Sequence, residues 1–217
     1  MQLQRCLVAL FLLVTFCHPV LGTDAEDSGA KKKVEAPSPD GRFAFRYEGE
    51  SDDERKAYVL IDRKSGKVIK RVAESDSDLS PSARFEMSVL WKPDSERFAL
   101  TATFWKRGST VLVFAREGDT FREVKVPGLL AEIPDKVKAG KEYPHVSELD
   151  SQSAKRWLKD GSLEVEIETM QDGGNDGAIQ ANRTVILGFG KGGEAKILKS
   201  TTKYTTENEN PPEPDGT

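Results

Sequence analysis

The chain has 217 residues, 37% of them hydrophobic, and its 32 basic residues are outnumbered by 36 acidic ones for a formal net charge of -4. The two signs are interspersed, so the clustered basic face of a nucleic-acid binder is excluded. Both cysteines, Cys6 and Cys17, fall in the first 22 residues, and the rest of the chain is without disulfides, thiol catalysis or cysteine metal sites.

In chain order, Arg5 is followed by an apolar run from Cys6 to Cys17 and by Val20-Leu21-Gly22, with small residues where a signal peptidase reads. This pattern predicts a secretory signal over 1–22. The apolar run is about a dozen residues, short of the roughly 20 that cross a bilayer, so no membrane span is expected. The product is expected in the periplasm or outside the cell. Residues 23–35, with the basic run Lys31-Lys32-Lys33, and the acidic, proline-rich 205–217 read as unstructured, because neither can bury enough apolar surface to offset chain entropy. A single domain over 36–204 remains.

That domain repeats one unit three times. The first copy begins at Ser38-Pro39-Asp40-Gly41-Arg42, passes into alternating Phe43, Phe45 and Tyr47, and continues through Tyr58 to Ile61, a Lys64-Ser65-Gly66 turn and Lys67-Val68-Ile69. The second begins at Trp91-Lys92-Pro93-Asp94-Ser95 and runs through Val111 to Phe114 to a turn at Glu117-Gly118-Asp119. The third begins at Trp157-Leu158-Lys159-Asp160-Gly161, continues with Leu163, Val165, Ile167 and Thr169 against Glu164, Glu166 and Glu168, and turns again over Gly190 to Gly193. Alternation marks half-buried strands, and the continuous runs Tyr58 to Ile61, Val111 to Phe114 and Val185 to Leu187 mark strands buried on both faces. Pro fixes φ, Asp bonds its own backbone and Gly admits positive φ, which is why these residues recur at the turns. The copies are 54 residues apart from Pro39 to Pro93 and 66 apart from Asp94 to Asp160, longer than a standard blade of about 40 to 45 residues. Two insertions account for the excess. Ala73 to Arg84 is rich in Asp and Ser, and Pro127 to Lys155 carries Pro127, Pro134 and Pro144, leaving room for one short helix over Val146 to Trp157.

Ser-Pro-Asp-Gly-Arg, the Leu60-Ile61-Asp62-Arg63-Lys64-Ser65-Gly66-Lys67 hairpin and Trp91-Lys92-Pro93-Asp94-Ser95 resemble the WD40-like propeller repeat of exported Tol-type proteins and of the propeller domains of prolyl peptidases. The resemblance implies four-stranded antiparallel blades and a protein-binding or substrate-gating surface. Three units fall short of the four to eight blades of a closed propeller. The expected fold is therefore all-β and antiparallel, with three blade-like meanders in an open or irregular propeller or a sandwich, and a homodimer is one way to cover its edges.

Motifs for chemistry are sparse. After the leader one histidine remains, His145, without a Gly-x-Ser-x-Gly elbow. Asp40, Asp94 and Asp160 recur at equivalent turns and read as turn caps, the alternative being carboxylates of a hydrolase or lyase. Asp172-Gly173-Gly174-Asn175-Asp176-Gly177 lacks the third and twelfth ligands of a calcium loop and reads as a hairpin tip. Asn182-Arg183-Thr184 is a glycosylation sequon. No cofactor or metal site is expected. The binding residues expected are Trp105 and Arg107 at a hairpin end and Tyr143 and His145 in the long insertion, because aromatic and Arg side chains on loops are what protein interfaces favour. The overall expectation is a non-enzymatic module for a protein partner.

Overall fold

The structure, a computed structural model, describes residues 34–48, 57–74, 85–104, 108–143, 145–146, 151–173, 177–190 and 193–207. All of these lie in one compact unit. The fold is all-β, antiparallel almost throughout, with a single helical turn among the described residues, α1 (Asp135–Lys138).

Three four-stranded meanders follow one another. The first is β1 (Val34–Glu35), β2 (Phe43–Glu48), β3 (Ala57–Asp62) and β4 (Val68–Glu74), paired in that order as a separate sheet. The second is β5 (Phe85–Trp91), β6 (Arg97–Phe104), β7 (Gly108–Glu117) and β8 (Thr120–Val124). After α1 and the short β9 (His145–Val146), the third is β10 (Ser151–Trp157), β11 (Leu163–Asp172), β12 (Ala178–Phe189) and β13 (Ala195–Glu207). The second and third merge into one nine-stranded sheet where β7 and β10 meet in parallel at Ser109 and Ser151. Because that register is a single pair, side chains carry the seam. Gln152 Oε1 accepts the Val111 N–H at 3.1 Å, Ser109 Oγ donates to Gln152 O at 2.7 Å, and Thr101 Oγ1 accepts the Ala154 N–H at 3.1 Å.

The expected helix over Val146 to Trp157 is not formed. Residues 151–157 are strand β10, paired with β11 from Ser151↔Glu168 to Trp157↔Leu163. Pairing along the segment outweighs the helical propensity of Gln152, Ala154, Lys155 and Arg156. The ordered strands also start and end slightly outside 36–204, since β1 begins at Val34 and β13 reaches Glu207.

The middle meander buries both faces. Toward the first it presents Phe98, Leu100, Phe114 and Phe121, which meet Phe43, Phe45, Tyr58 and Leu60 in an aromatic core. Phe45 stacks on Tyr58 with centroids 5.1 Å apart and Phe98 on Phe114 at 4.8 Å, while Phe43 meets Phe121 edge-on at 5.2 Å. The other core is aliphatic and joins Ala99, Val111 and Val113 to Leu163, Val165, Ile167, Ile179, Val185 and Leu187. A small cluster of Ala44, Ala57, Val59 and Ile61 occupies the opposite face of β2 and β3, so β3 is buried on both sides as its continuous apolar run predicts.

The long insertion is built into this core. Leu129, Ala131 and Ile133 are buried in the aliphatic cluster, whereas Leu130 between them is 59% exposed. This is strand-like alternation in a segment without a ladder of its own.

Candidate functional site

The three recurring turns are the same object. In each, the residue two before the aspartate closes the turn with its N–H: Ser38 to Phe43 O at 2.9 Å, Lys92 to Arg97 O at 2.9 Å and Leu158 to Ser162 O at 2.8 Å. In each, the aspartate Oδ1 accepts the backbone N–H two residues on, at 3.0 Å, from Arg42, Glu96 and Ser162 respectively. The next residue is left-handed every time, with φ of 71° at Gly41, 61° at Ser95 and 83° at Gly161. Adjacent turns touch: Asp40 N–H donates to Ser95 Oγ at 3.0 Å, and a Cβ at Gly161 would lie 3.3 Å from Lys92 Cε.

All three carboxyls are held below their ordinary value. At Asp40 burial pushes upward, but the Ser38 hydroxyl at 2.5 Å, the Arg42 N–H and the Arg116 guanidinium at 3.9 Å outweigh it. At Asp94 burial is likewise outweighed, by the Lys92 ammonium and the Glu96 N–H. The Ser162 hydroxyl and N–H lower Asp160. Around them Arg42 pairs with Asp119 at 2.8 Å and Asp62 at 3.5 Å, and Arg116 pairs with Glu96 at 3.3 Å. Arg42 and Arg116 also lie against the buried Phe43 ring, at 4.8 and 5.4 Å. This end of the molecule is thus a charge-paired seam.

A second repeated device was not drawn from the sequence. Trp91 stands three residues before Asp94 and Trp157 three before Asp160. The Trp91 indole N–H donates to Ala36 O at 2.9 Å, and that of Trp157 donates to Leu90 O at 3.0 Å. Ala36 and Leu90 are equivalent positions, each four residues before its own turn aspartate. Trp91 and Trp157 each therefore fasten their meander to the one before. The shared Trp-x-x-Asp spacing carried this signal.

Of the expected binding residues, Trp105 and Arg107 lie outside the described residues. His145 is placed by its backbone, which pairs with Asp172 beside the β11–β12 hairpin. Tyr143 is half-buried and packs on the aliphatic core, so part of its ring is engaged within the protein. Asp172 and Gly177 flank a hairpin, with Gly173 N–H bonded to Gly177 O at 2.8 Å. Among the described residues no cluster of three metal-ligating side chains forms, and no helix is long and apolar enough to cross a membrane.

Two grooves remain. One, of about 360 Å³, lies on the polar face of the third meander, where Lys155 pairs with Glu166 at 2.7 Å and where the exposed Asn182 of the sequon sits mid-strand. The other, of about 540 Å³, runs between the insertion and β13, lined by Leu130, Glu132, Pro134, Arg183, Ser200 and Tyr204 among others. Arg183 ties its walls together, with Nε on Ser200 Oγ at 2.8 Å and a terminal nitrogen on Leu130 O, while Tyr204 OH reaches Glu132 O at 3.4 Å.

No family model and no curated protein matches the chain. A crystal structure of an uncharacterized protein of Listeria monocytogenes EGD-e is similar at a TM-score of 0.32 and 12% identity, over 79% of this chain and 52% of that one. This chain therefore spans about half the length of that protein.

Proposed function

We propose that this chain is an exported, non-enzymatic binding or scaffold module for a protein partner, its three meanders an open relative of the blades of a propeller. The observation that carries this reading is the employment of the recurring carboxylates. Asp40, Asp94 and Asp160 each accept a backbone N–H inside a separate turn, and each is held ionised. Acid–base hydrolysis by paired carboxylates requires one of them to be protonated at working pH, and depressed carboxyls serve that role badly. Export rests on the leader pattern of the first 22 residues.

The groove beside β13 is the contact surface this reading favours, because it sets the exposed Leu130 and Tyr204 beside Arg183 on a rigid sheet. Immobilised protein would be incubated with the extracytoplasmic fraction of its host, alongside a Leu130→Ser/Tyr204→Ala variant. A protein held by the wild type and released by the variant supports the proposal. Equal recovery from both, or turnover of a hydrolase substrate abolished by Asp94→Asn or Asp160→Asn in a folded variant, sinks it.

A further inference from the structure

Strand β13 ends the nine-stranded sheet, and among the described residues its ladder partner is β12 alone. Only the start of its outer side is engaged there, where the Ala195 N–H donates to Lys125 O at 2.9 Å. A long edge presents a row of backbone donors and acceptors on which another strand can form. Its chemistry is one-sided: from Ala195 to Thr206 it carries Lys196, Lys199 and Lys203 and no carboxylate. Apolar surface is exposed on both faces of the edge, Tyr204 on the groove face and Leu198 against Gly188 on the other. Leu198 (52% exposed) and Tyr204 (37%) are on β13 and Leu130 is across the groove, three of the five large apolar side chains exposed among the described residues.

We propose that the free edge of β13 is a strand-addition site for an acidic, extended segment of a partner protein in which carboxylates alternate with apolar residues. Alternation follows from the two faces of the edge. Ser200, Thr202 and Tyr204 line the groove with Leu130, whereas Lys199 and Lys203 lie opposite Ile186 and Asn182 on β12, in the alternate register. A strand added here would present apolar side chains to Tyr204 and Leu130 and carboxylates to the lysines. The charge also selects against a second copy, since β13 set beside β13 gathers six lysine side chains against only the flanking Glu194 and Glu207 of each copy. The proposal rests on reading the chain as a binding module and adds the class of its partner.

The test is fluorescence anisotropy of the purified protein with a labelled Val-Glu alternating peptide of about eight residues, ordinary strand length. Two further peptides would be N-methylated at odd or at even positions, because in a paired strand alternate N–H groups face the sheet. The plain peptide is expected to bind saturably, and one methylated register to bind about tenfold or more weaker while the other is unaffected, the cost of several lost backbone bonds. Lys199→Glu/Lys203→Glu is expected to weaken the plain peptide by a similar factor, and a Val-Lys peptide not to bind. Equal binding of both methylated registers would mean mere charge attraction and overturn the proposal. So would no binding, or a dimer in light scattering that the double variant dissociates, which would place a second copy on this edge. If the peptide fails while host capture still recovers a Tyr204-dependent partner, the edge proposal falls and the binding-module reading stands.

Discussion

Ser95 holds a left-handed backbone, φ 61°, where the equivalent turns use Gly41 and Gly161. A non-glycine residue there costs about 1 kcal/mol, and its hydroxyl compensates by accepting the Asp40 N–H from the neighbouring meander. Ser95→Ala keeps the strain and orphans that donor, so urea unfolding is expected to show a loss of about 1–2 kcal/mol. Ser95→Gly relieves the strain while losing the same bond and is expected to be nearly neutral. The carboxylates of the three turns give a pH signature. Their folded pKa values lie below the ordinary 3.8, so their contribution is complete above that value and is lost as pH falls through the folded values. Urea midpoints are expected to be flat from pH 7 to about 4 on this account and to decline below, and an Asp40→Asn/Asp94→Asn/Asp160→Asn variant should decline less. An equally steep decline in that variant would show that the turns do not control acid stability. The aspartates were legible because an Asp turn is closed by residues two or three places away. The Ser95 hydroxyl was not, because its partner is 55 positions distant.

The strands were legible to different degrees for the same reason. Leu163, Val165 and Ile167 alternate with glutamates and are buried as the pattern requires. Phe85, Met87, Val89 and Trp91 alternate too and form strand β5, which runs directly into the Lys92-Pro93-Asp94 turn. Strand β10 has little periodicity to read, since what makes Ser151–Trp157 extended is β11 on one side and the Thr101 and Gln152 bonds on the other. The candidate groove was equally hidden, as it joins residues 130 and 204, which only the fold makes neighbours. Two substitutions test the seams. Gln152→Leu leaves the Val111 N–H without its acceptor and is expected to cost about 1–3 kcal/mol, with faster hydrogen exchange at Val111 and Ala154 before global unfolding. Trp157→Phe removes the bond to Leu90 O and part of the packing on Phe189, whose centroid is 5.5 Å away. It is expected to cost about 1–2 kcal/mol, and an unchanged urea midpoint would remove the indole from the account of how meanders are fastened.

For the molecule as a whole, the weak point of an open all-β architecture is its edges. On β13 the lysines keep like edges apart. Lys196→Val/Lys199→Val/Lys203→Val is therefore expected to raise the mass seen by light scattering, toward dimers or larger assemblies, at concentrations where the parent is unaffected. An unchanged mass would show that something other than charge guards this edge. Three successive meanders were legible from turns alone. The merging of two of them into one sheet was not, because it depends on a parallel contact between Ser109 and Ser151, 42 residues apart.

The tryptophan bonds give the series a direction. Trp157 reaches back to the second meander and Trp91 to the first, but the place three residues before Asp40 is held by Pro37, whose ring has no hydrogen to give. At the other end, Arg156 stands where Leu90 and Ala36 stand, four residues before its aspartate. A series fastened in this way can be extended from one end only. A further meander with its own tryptophan would meet the Arg156 position at the downstream end, whereas one placed upstream would meet Pro37, which has no donor to fasten it.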